Sequence, residues 1–202
     1  MDKNKVKTLK CLNKTKFLSF YKAEYENKKG NNKTWMIATR KKEDEINDIF
    51  FNNKKDKDDA VVICALHKSS NKLVMIKQFR IPVNDYIYEL AAGLIDEGET
   101  ANSTAIRELK EETGLRVVDI IEKKNGSKLY LSPGMTDESV KLVFCICEGD
   151  INIDSLEEDE CIEPMLISRE EAKEILESGE KLDIKCFLIL QSFVILGEKL
   201  FQ

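Results

Sequence analysis

Apolar residues in this chain occur in short runs separated by polar turns, a pattern typical of β-strands. Two runs near the start, 16–25 and 34–40, flank a Gly- and Asn-rich segment, which predicts a β-hairpin. A second hairpin is predicted around residues 69–71, where a polar turn separates two apolar runs. The remaining strands are predicted at 60–66, 73–79, 87–94 and around 115–122, 127–131 and 139–147.

Three segments have the spacing of helices instead. Residues 100–113 place apolar side chains on one helical face, with Thr100 suited to cap the start and Gly114 suited to end the helix. Two closing helices are predicted at 168–178 and 184–200.

The hydrophobic pattern is interrupted at residues 41–59. This segment is charged and weakly patterned, which predicts a connector. We place the boundary there, between an N-terminal hairpin or sheet region at 1–58 and a main domain at 59–202. The fold class predicted by this order of elements is α+β, with a mixed sheet between helices and a small antiparallel sheet at the N-terminus.

Composition excludes several classes of function. A chain of 202 residues that is 42% hydrophobic has material for a sizeable core, and no apolar run is long enough to cross a membrane. The first residues are polar and unlike a signal peptide, so a cytoplasmic location is expected. The single histidine and the absence of a CxxC pair argue against a zinc site, and the six cysteines are expected to be reduced.

Charge is distributed unevenly along the chain. Residues 1–58 hold 16 of the 32 basic side chains but only 9 of the 37 acidic ones, so the rest of the chain is strongly acidic. An acidic protein is a poor general binder of nucleic acid. The basic N-terminal region suits a small anionic ligand, although a solvated lysine-rich surface explains the same residues.

Three glutamates carry the chemistry that the sequence predicts. Glu108, Glu111 and Glu112 are spaced i, i+3 and i+4, so their carboxylates converge on one edge of a helix. Like charges at this spacing cost about 0.2–0.5 kcal/mol per pair, and a divalent cation with a preference for oxygen ligands removes that cost. The alternative is a solvated, glutamate-rich helix.

The residues around these glutamates decide between the two interpretations. Residues 93–115 read Gly, five residues, Glu, seven residues, then Arg-Glu-Leu-Lys-Glu-Glu-Thr-Gly-Leu. This pattern resembles the Nudix box at all of its fixed positions. The resemblance implies a Nudix α/β/α sandwich in which Glu108, Glu111 and Glu112 bind Mg²⁺, with Mn²⁺ as an alternative.

The same resemblance assigns further roles near the box. Arg107 and Glu99 are implied to support the site, and Arg107, Glu111 and Glu112 to take part in catalysis. Gly93 is expected to permit a tight backbone turn. The main-chain carbonyl of Ala92 is implied as one more metal ligand.

Flanking residues resemble the ADP-ribose pyrophosphatase branch of that family. They are Gln-Phe-Arg at 78–80, Tyr-Glu-Leu-Ala-Ala-Gly at 88–93 and Ser-Pro-Gly-Met-Thr-Asp-Glu at 132–138. Ala91 departs from the branch, which usually has proline there. The resemblance implies that Glu138 activates or positions the attacking water, whereas a plain Pro-Gly turn is the alternative.

Substrate-binding residues are implied on both sides of the predicted boundary. Arg80 is the candidate for binding phosphate through paired donors, with a salt bridge as the alternative. Trp35, Arg40 and Phe17 fall where the branch holds adenine, although Trp35 equally suits a packed sheet. In that branch the N-terminal sheet is exchanged between subunits, which implies a homodimer.

The activity implied is Mg²⁺-dependent hydrolysis of ADP-ribose to AMP and ribose 5-phosphate. The partner is then a small nucleoside diphosphate derivative, with neither nucleic acid nor membrane. Two alternatives stay open: a Nudix pyrophosphatase acting on another nucleotide sugar or a nucleoside triphosphate, and a sensor that binds ADP-ribose without turning it over. The intact set Glu108, Glu111 and Glu112 argues against the sensor.

Overall fold

The computed structural model forms two compact units. The N-terminal unit comprises the described residues up to Asp59 together with Lys128–Val140, and the second unit comprises Ala60–Ser127 and Lys141–Gln202. Segment 128–140, which the sequence had assigned to the main domain, therefore packs with the N-terminal residues. The residues that the structure describes are 5–156, 158 and 160–202.

Segment 128–140 packs with the N-terminal residues because hydrogen bonds join it to residues 58 and 59. The amide of Lys128 donates to Oδ1 of Asp58 at 2.7 Å, and the amide of Asp59 donates to the carbonyl of Ser139 at 2.9 Å. Sequence periodicity carries no signal for such bonds between distant segments. The functional division into a binding region and a hydrolase domain stays a prediction.

The N-terminal unit contains a three-stranded antiparallel sheet of β1 (Lys5–Lys14), β2 (Ser19–Glu26) and β3 (Asn32–Thr39), in that order. The predicted hairpin corresponds to β2 and β3. Its turn is fixed by Gly30, at φ 79°, and by the Asn27 side chain. Strand β1 was not predicted, because it is a largely exposed strand without a buried apolar face.

A helix follows the sheet where the sequence predicted a connector. Helix α1 spans Glu43–Phe51 and begins with three acidic residues, which favour a helix N-terminus. Ile46 is fully buried, and Ile49 and Phe50 follow at i+3 and i+4. The prediction failed because one buried residue and a short apolar stripe give little periodicity.

Most strands of a larger sheet lie in the second unit; the sheet has the path β11-β5-β4-β10-β8, and β6, β7 and β9 pair with β5, β4 and β10. These strands are β4 (Ala60–His67), β5 (Lys72–Arg80), β6 (Asp85–Glu89), β7 (Ala92–Leu94), β8 (Arg116–Ile120), β9 (Gly126–Tyr130), β10 (Ser139–Glu148) and β11 (Ile162–Ile167). The amide of Lys68 donates to the carbonyl of Cys147, and these two residues lie nine positions after Asp59 and eight positions after Ser139. Both bonds advance in the same direction, so β4 and β10 run parallel and the sheet is mixed.

Three helices accompany this sheet: α2 (Ala101–Thr113), α3 (Arg169–Glu177) and α4 (Ile184–Leu196). All three were predicted, although the last was expected to reach residue 200, where a 3₁₀ turn stands instead. The predicted strand 87–94 is divided into β6 and β7, and β11 was missed. Ala105 and Leu109 of α2 are fully buried in the main core, and the predicted fold class is confirmed.

Among the described residues, no helix is both long and apolar enough to cross a membrane. All six cysteines are free thiols, of which Cys161 is exposed and Cys11 half-buried. The other four are buried, and burial raises the pKa of each, to about 12 for Cys147. These thiols are therefore protonated at neutral pH.

Candidate active site

Helix α2 has well-defined ends, which fix the register of its side chains. The hydroxyl of Thr100 accepts a hydrogen bond from the amide of Ser103, whose side chain bonds back to the Thr100 amide. Gly114 ends the helix at φ 75°, a conformation that favours glycine. The predicted caps are both present, and with Leu109 buried the following turn places Glu112 at the buried edge of the helix.

Glu112 is a buried acidic residue, since it is only 3% exposed. The main-chain amide of Ala92 donates to its Oε2 at 3.1 Å. Burial, followed by the negative charge of Glu108, raises the pKa of Glu112 to about 9 despite that hydrogen bond. A buried carboxylate next to another acid is a site that a cation would stabilise.

Glu108 lies close to the backbone of strand β7. A Cβ atom at Gly93 would lie 1.9 Å from Oε1 of Glu108, so only glycine leaves room for that carboxylate. Gly93 itself does not have a positive φ. Gly93 lies within strand β7 and not in the expected tight turn, and glycine is required there by the close approach of a side chain. Burial raises the pKa of Glu108, against the lowering effect of Arg107.

Gly93→Ala tests the predicted role of Glu108 as a metal ligand, and the substitution should leave the fold intact. The added methyl displaces the flexible end of Glu108 rather than any backbone atom, so thermal unfolding in EDTA should match the wild type. Displacing a carboxylate that is predicted to bind the metal should raise the Mg²⁺ concentration for half-maximal rate about tenfold or more. An unchanged Mg²⁺ titration would show that Glu108 does not contribute to binding.

Arg107 holds the surrounding carboxylates in place. Its Nε and Nη2 donate to the two oxygens of Glu99 at 3.0 Å each, a bidentate pair. Its Nη1 donates to Glu108 at 2.8 Å and to Glu111 at 2.9 Å. Hydrogen bonds from Arg107, then from Thr104, lower the pKa of Glu99 to about 2. Arg107 thus pairs with three carboxylates, and the supporting role of Arg107 and Glu99 stays a prediction.

The oxygen atoms near the start of β7 and on α2 are of the kind that divalent cations bind. Glu108 and Glu112 are shielded from water, repel each other and lie beside the main chain of Ala92. Within the described residues, no group of three acidic, histidine or cysteine side chains is already arranged around a common point that could hold a metal. Glu108 and Glu111 accept hydrogen bonds from Arg107 instead. Binding of a cation would therefore require these two side chains to turn away from Arg107.

One acidic residue near this site was missed by the sequence analysis. Glu160 precedes β11, and its negative charge raises the pKa of both Glu108 and Glu112. It stands about fifty positions from the box in an acidic segment that has no motif of its own. Only the fold brings its charge to these two glutamates.

Arg80 lies at the end of β5 and makes a bidentate salt bridge with Glu89. The two hydrogen bonds measure 2.6 and 3.0 Å, and the carboxylate of Glu89 is nearly buried. The salt-bridge alternative for Arg80 is therefore present. The Arg80 side chain is still 38% exposed, and its Nη1 takes no part in the bonds to Glu89, which leaves donors for a ligand.

The other predicted residues lie in the N-terminal unit. Trp35, on β3, is 53% exposed, and its Nε1 donates to the carbonyl of Gly134 at 3.0 Å. Arg40, just after β3, donates from Nε to Oε1 of Glu138 at 2.9 Å. Phe17, ahead of β2, is 67% exposed, and the ammonium of Lys16 lies over its ring. Trp35 is thus not a packed core residue.

Comparison with known proteins identifies the class. The family model of the NUDIX domain matches residues 56–185. ADP-ribose pyrophosphatase of Bacillus subtilis is 37% identical over 134 residues, which cover 65% of this chain and 70% of that protein. ADP-ribose pyrophosphatase of Saccharomyces cerevisiae is 32% identical over 133 residues, covering 61% and 56%.

Two further comparisons add to this. A nudix hydrolase of Caenorhabditis elegans is 43% identical over 119 residues, and the chain spans about half of its length, 52%. A crystal structure of an ADP compounds hydrolase has the same fold, with a TM-score of 0.62 at 18% identity over 95% of this chain and 94% of that one. The chain therefore belongs to the Nudix hydrolase family, and the resemblance of its box is confirmed.

Proposed function

We propose that this Nudix hydrolase cleaves ADP-ribose to AMP and ribose 5-phosphate with Mg²⁺, for which Mn²⁺ can substitute. The observation that carries the proposal is the buried Glu112, whose carboxylate lies beside Glu108 and the amide of Ala92. Relatives named as ADP-ribose pyrophosphatases support the choice of substrate.

The chemistry proposed is displacement by water at one phosphorus of the diphosphate. A divalent cation held by Glu108, Glu111, Glu112 and the carbonyl of Ala92 would supply charge neutralisation and a more acidic water. The water oxygen forms a bond to phosphorus, the bridging P–O bond breaks, and the released proton passes to a carboxylate. Glu138 is the proposed acceptor, and its bond to Arg40 would open for this step.

Substrate binding is proposed to use side chains that are exposed. Arg80 would donate to phosphate oxygens while Glu89 keeps its guanidinium oriented. Trp35 and Phe17 would stack against adenine, at about 1–3 kcal/mol per base for such contacts, with Arg40 beside them. A homodimer with an exchanged N-terminal sheet and a cytoplasmic location stay predictions of the sequence.

The test is an assay of the purified protein with ADP-ribose and Mg²⁺. We expect AMP and ribose 5-phosphate in equal amounts, and no products in excess EDTA. A panel containing other nucleotide sugars and nucleoside triphosphates identifies the alternatives within the family, because preferred cleavage of one of these would replace ADP-ribose as the substrate. Tight binding of ADP-ribose by calorimetry without any product would instead establish the sensor.

A further inference from the structure

The end of β3 and the 132–138 loop run side by side in the N-terminal unit. A parallel bridge joins Ala38 to Thr136, and the indole of Trp35 donates to the carbonyl of Gly134 at 3.0 Å. The loop is therefore attached to one strand along its length. Whatever fixes this attachment also fixes the position of the residues that the loop carries.

Two ion pairs at consecutive residues continue this contact, one exposed and one buried. Arg40 pairs with Glu138 at 2.9 Å, and the Arg40 side chain is 45% exposed. Lys41 pairs with Asp137 at 3.3 Å, and the Lys41 side chain is only 5% exposed. The exposed pair exchanges readily with solvent, whereas the buried pair is shielded from water and salt.

Lys41 joins the loop to two further segments. Its Nζ donates to Oδ1 of Asp59 at 2.8 Å and lies 3.6 Å from Oδ1 of Asp56. Asp59 in turn accepts from the amide of Ser139 at 2.8 Å. Burial lowers the pKa of the lysine, but the hydrogen bond to Asp59 and the charges of the aspartates outweigh this, so its pKa is raised. Lys41 is thus a fixed positive charge among three aspartates.

A cavity borders the loop on the side of α1, and Asp137 is one of its lining residues. The cavity measures about 310 Å³ and is also lined by Pro133 and Met135 of the loop and by Ile49 and Phe50 of α1. Oδ1 of Asp137 is buried and, within the described part of the chain, has no hydrogen-bond partner. The charge of Asp137 therefore depends on Lys41 for compensation.

We propose that Lys41 is a positioning residue for the hydrolysis, because its buried pair with Asp137 fixes the 132–138 loop to β3 while the exposed pair of Arg40 with Glu138 opens and closes. This inference rests on the proposed function, which gives Glu138 its role. The pair of Lys41 with Asp137 holds the loop in place, and the pair of Arg40 with Glu138 can open to release the carboxylate of Glu138.

Asp137→Asn tests the proposal with a minimal change of shape. Trp35 is the only tryptophan in the chain, so its fluorescence reports directly on the attachment of the loop. We expect emission at longer wavelength and stronger quenching by acrylamide. We expect kcat with ADP-ribose and Mg²⁺ to fall by roughly tenfold to a hundredfold, the effect of a misplacement of about 1 Å, with little change in KM.

Matched variants separate this effect from a general loss of charge. Glu26→Gln makes the same change of carboxylate to amide at an exposed ion pair with Lys7 in the same unit, and it should leave fluorescence and kcat unchanged. Lys41→Arg keeps the positive charge and should retain most of the turnover. Lys41→Met should reproduce the fluorescence change of Asp137→Asn, and it is secondary because leaving three aspartates unpaired can prevent folding.

The outcomes are distinct. An Asp137→Asn protein that unfolds cooperatively but has wild-type emission and quenching would overturn the proposal. So would altered fluorescence with an unchanged kcat, or a lower kcat with unaltered fluorescence, since each breaks the link between loop and turnover. If the wild type cleaves no nucleotide at all, the proposed function has failed, and a changed fluorescence then shows only that the ion pair holds the loop.

Discussion

Glu112→Gln should lower kcat by at least about a hundredfold with ADP-ribose at saturating Mg²⁺. Groups one step removed from a metal typically change affinity or activity by about 10–100-fold, and a direct ligand should exceed that. The amide of glutamine can still accept the hydrogen bond from Ala92, so the local backbone keeps its partner. The loss would therefore come from the missing negative charge.

The measurement is a steady-state assay of kcat and KM over a range of Mg²⁺ concentrations. Glu170→Gln, which makes the same change on the exposed surface of α3, is the control and should behave as the wild type. A turnover number for Glu112→Gln within a factor of about two of wild type would contradict the proposed role of Glu112 as a metal ligand, because even indirect metal contacts typically contribute about 10–100-fold.

Glu112→Gln should make the metal-free protein more stable, although it lowers the turnover number. The pKa of Glu112 is raised to about 9 in the folded state from an ordinary value of 4.5. Folding therefore favours the protonated acid, and this contribution is complete below pH 4.5 and is lost as the pH rises from there towards 9. Glutamine does not ionise, so the variant should be more stable than the wild type by a margin that grows over this range.

Urea unfolding in EDTA at several values of pH between 5 and 9 would measure that margin. One unit of pKa shift corresponds to about 1.4 kcal/mol of unfolding free energy, so a difference caused by only part of the shift would be measurable. Saturating Mg²⁺ should reverse the order, since a ligand at a hundred times its Kd adds about 2.7 kcal/mol to the protein that binds it. A margin that is flat with pH would mean that Glu112 is already compensated in the metal-free state.

The local geometry of the box segment was predictable because its determinants lie close together in the sequence. The three box glutamates, the caps of α2 and the supporting pair of Arg107 with Glu99 all lie within one short segment, where spacing along a helix decides which side chains meet. The reason given for Gly93 was wrong even so. Its requirement comes from Glu108, fifteen residues away, and only the fold shows that contact.

Other features depend on long-range contacts that leave no periodic trace. Glu160 approaches the box through folding alone, and strands β1 and β11 acquire their structure from pairing with neighbours rather than from their own alternation. The pairing of Arg40 with Glu138 spans 98 residues. Charged side chains that far apart can be recognised as candidates in a sequence, but not as partners.

The distribution of thiols makes this protein convenient to label chemically. The thiolate is the reactive form of cysteine, so the four buried cysteines, with their raised pKa values, should react slowly with alkylating reagents. Cys161 is exposed and directly follows Glu160. Once Cys11 is replaced by serine, a dye or spin probe attached at Cys161 would lie next to Glu160, whose charge acts on Glu108 and Glu112. No new attachment point would have to be engineered.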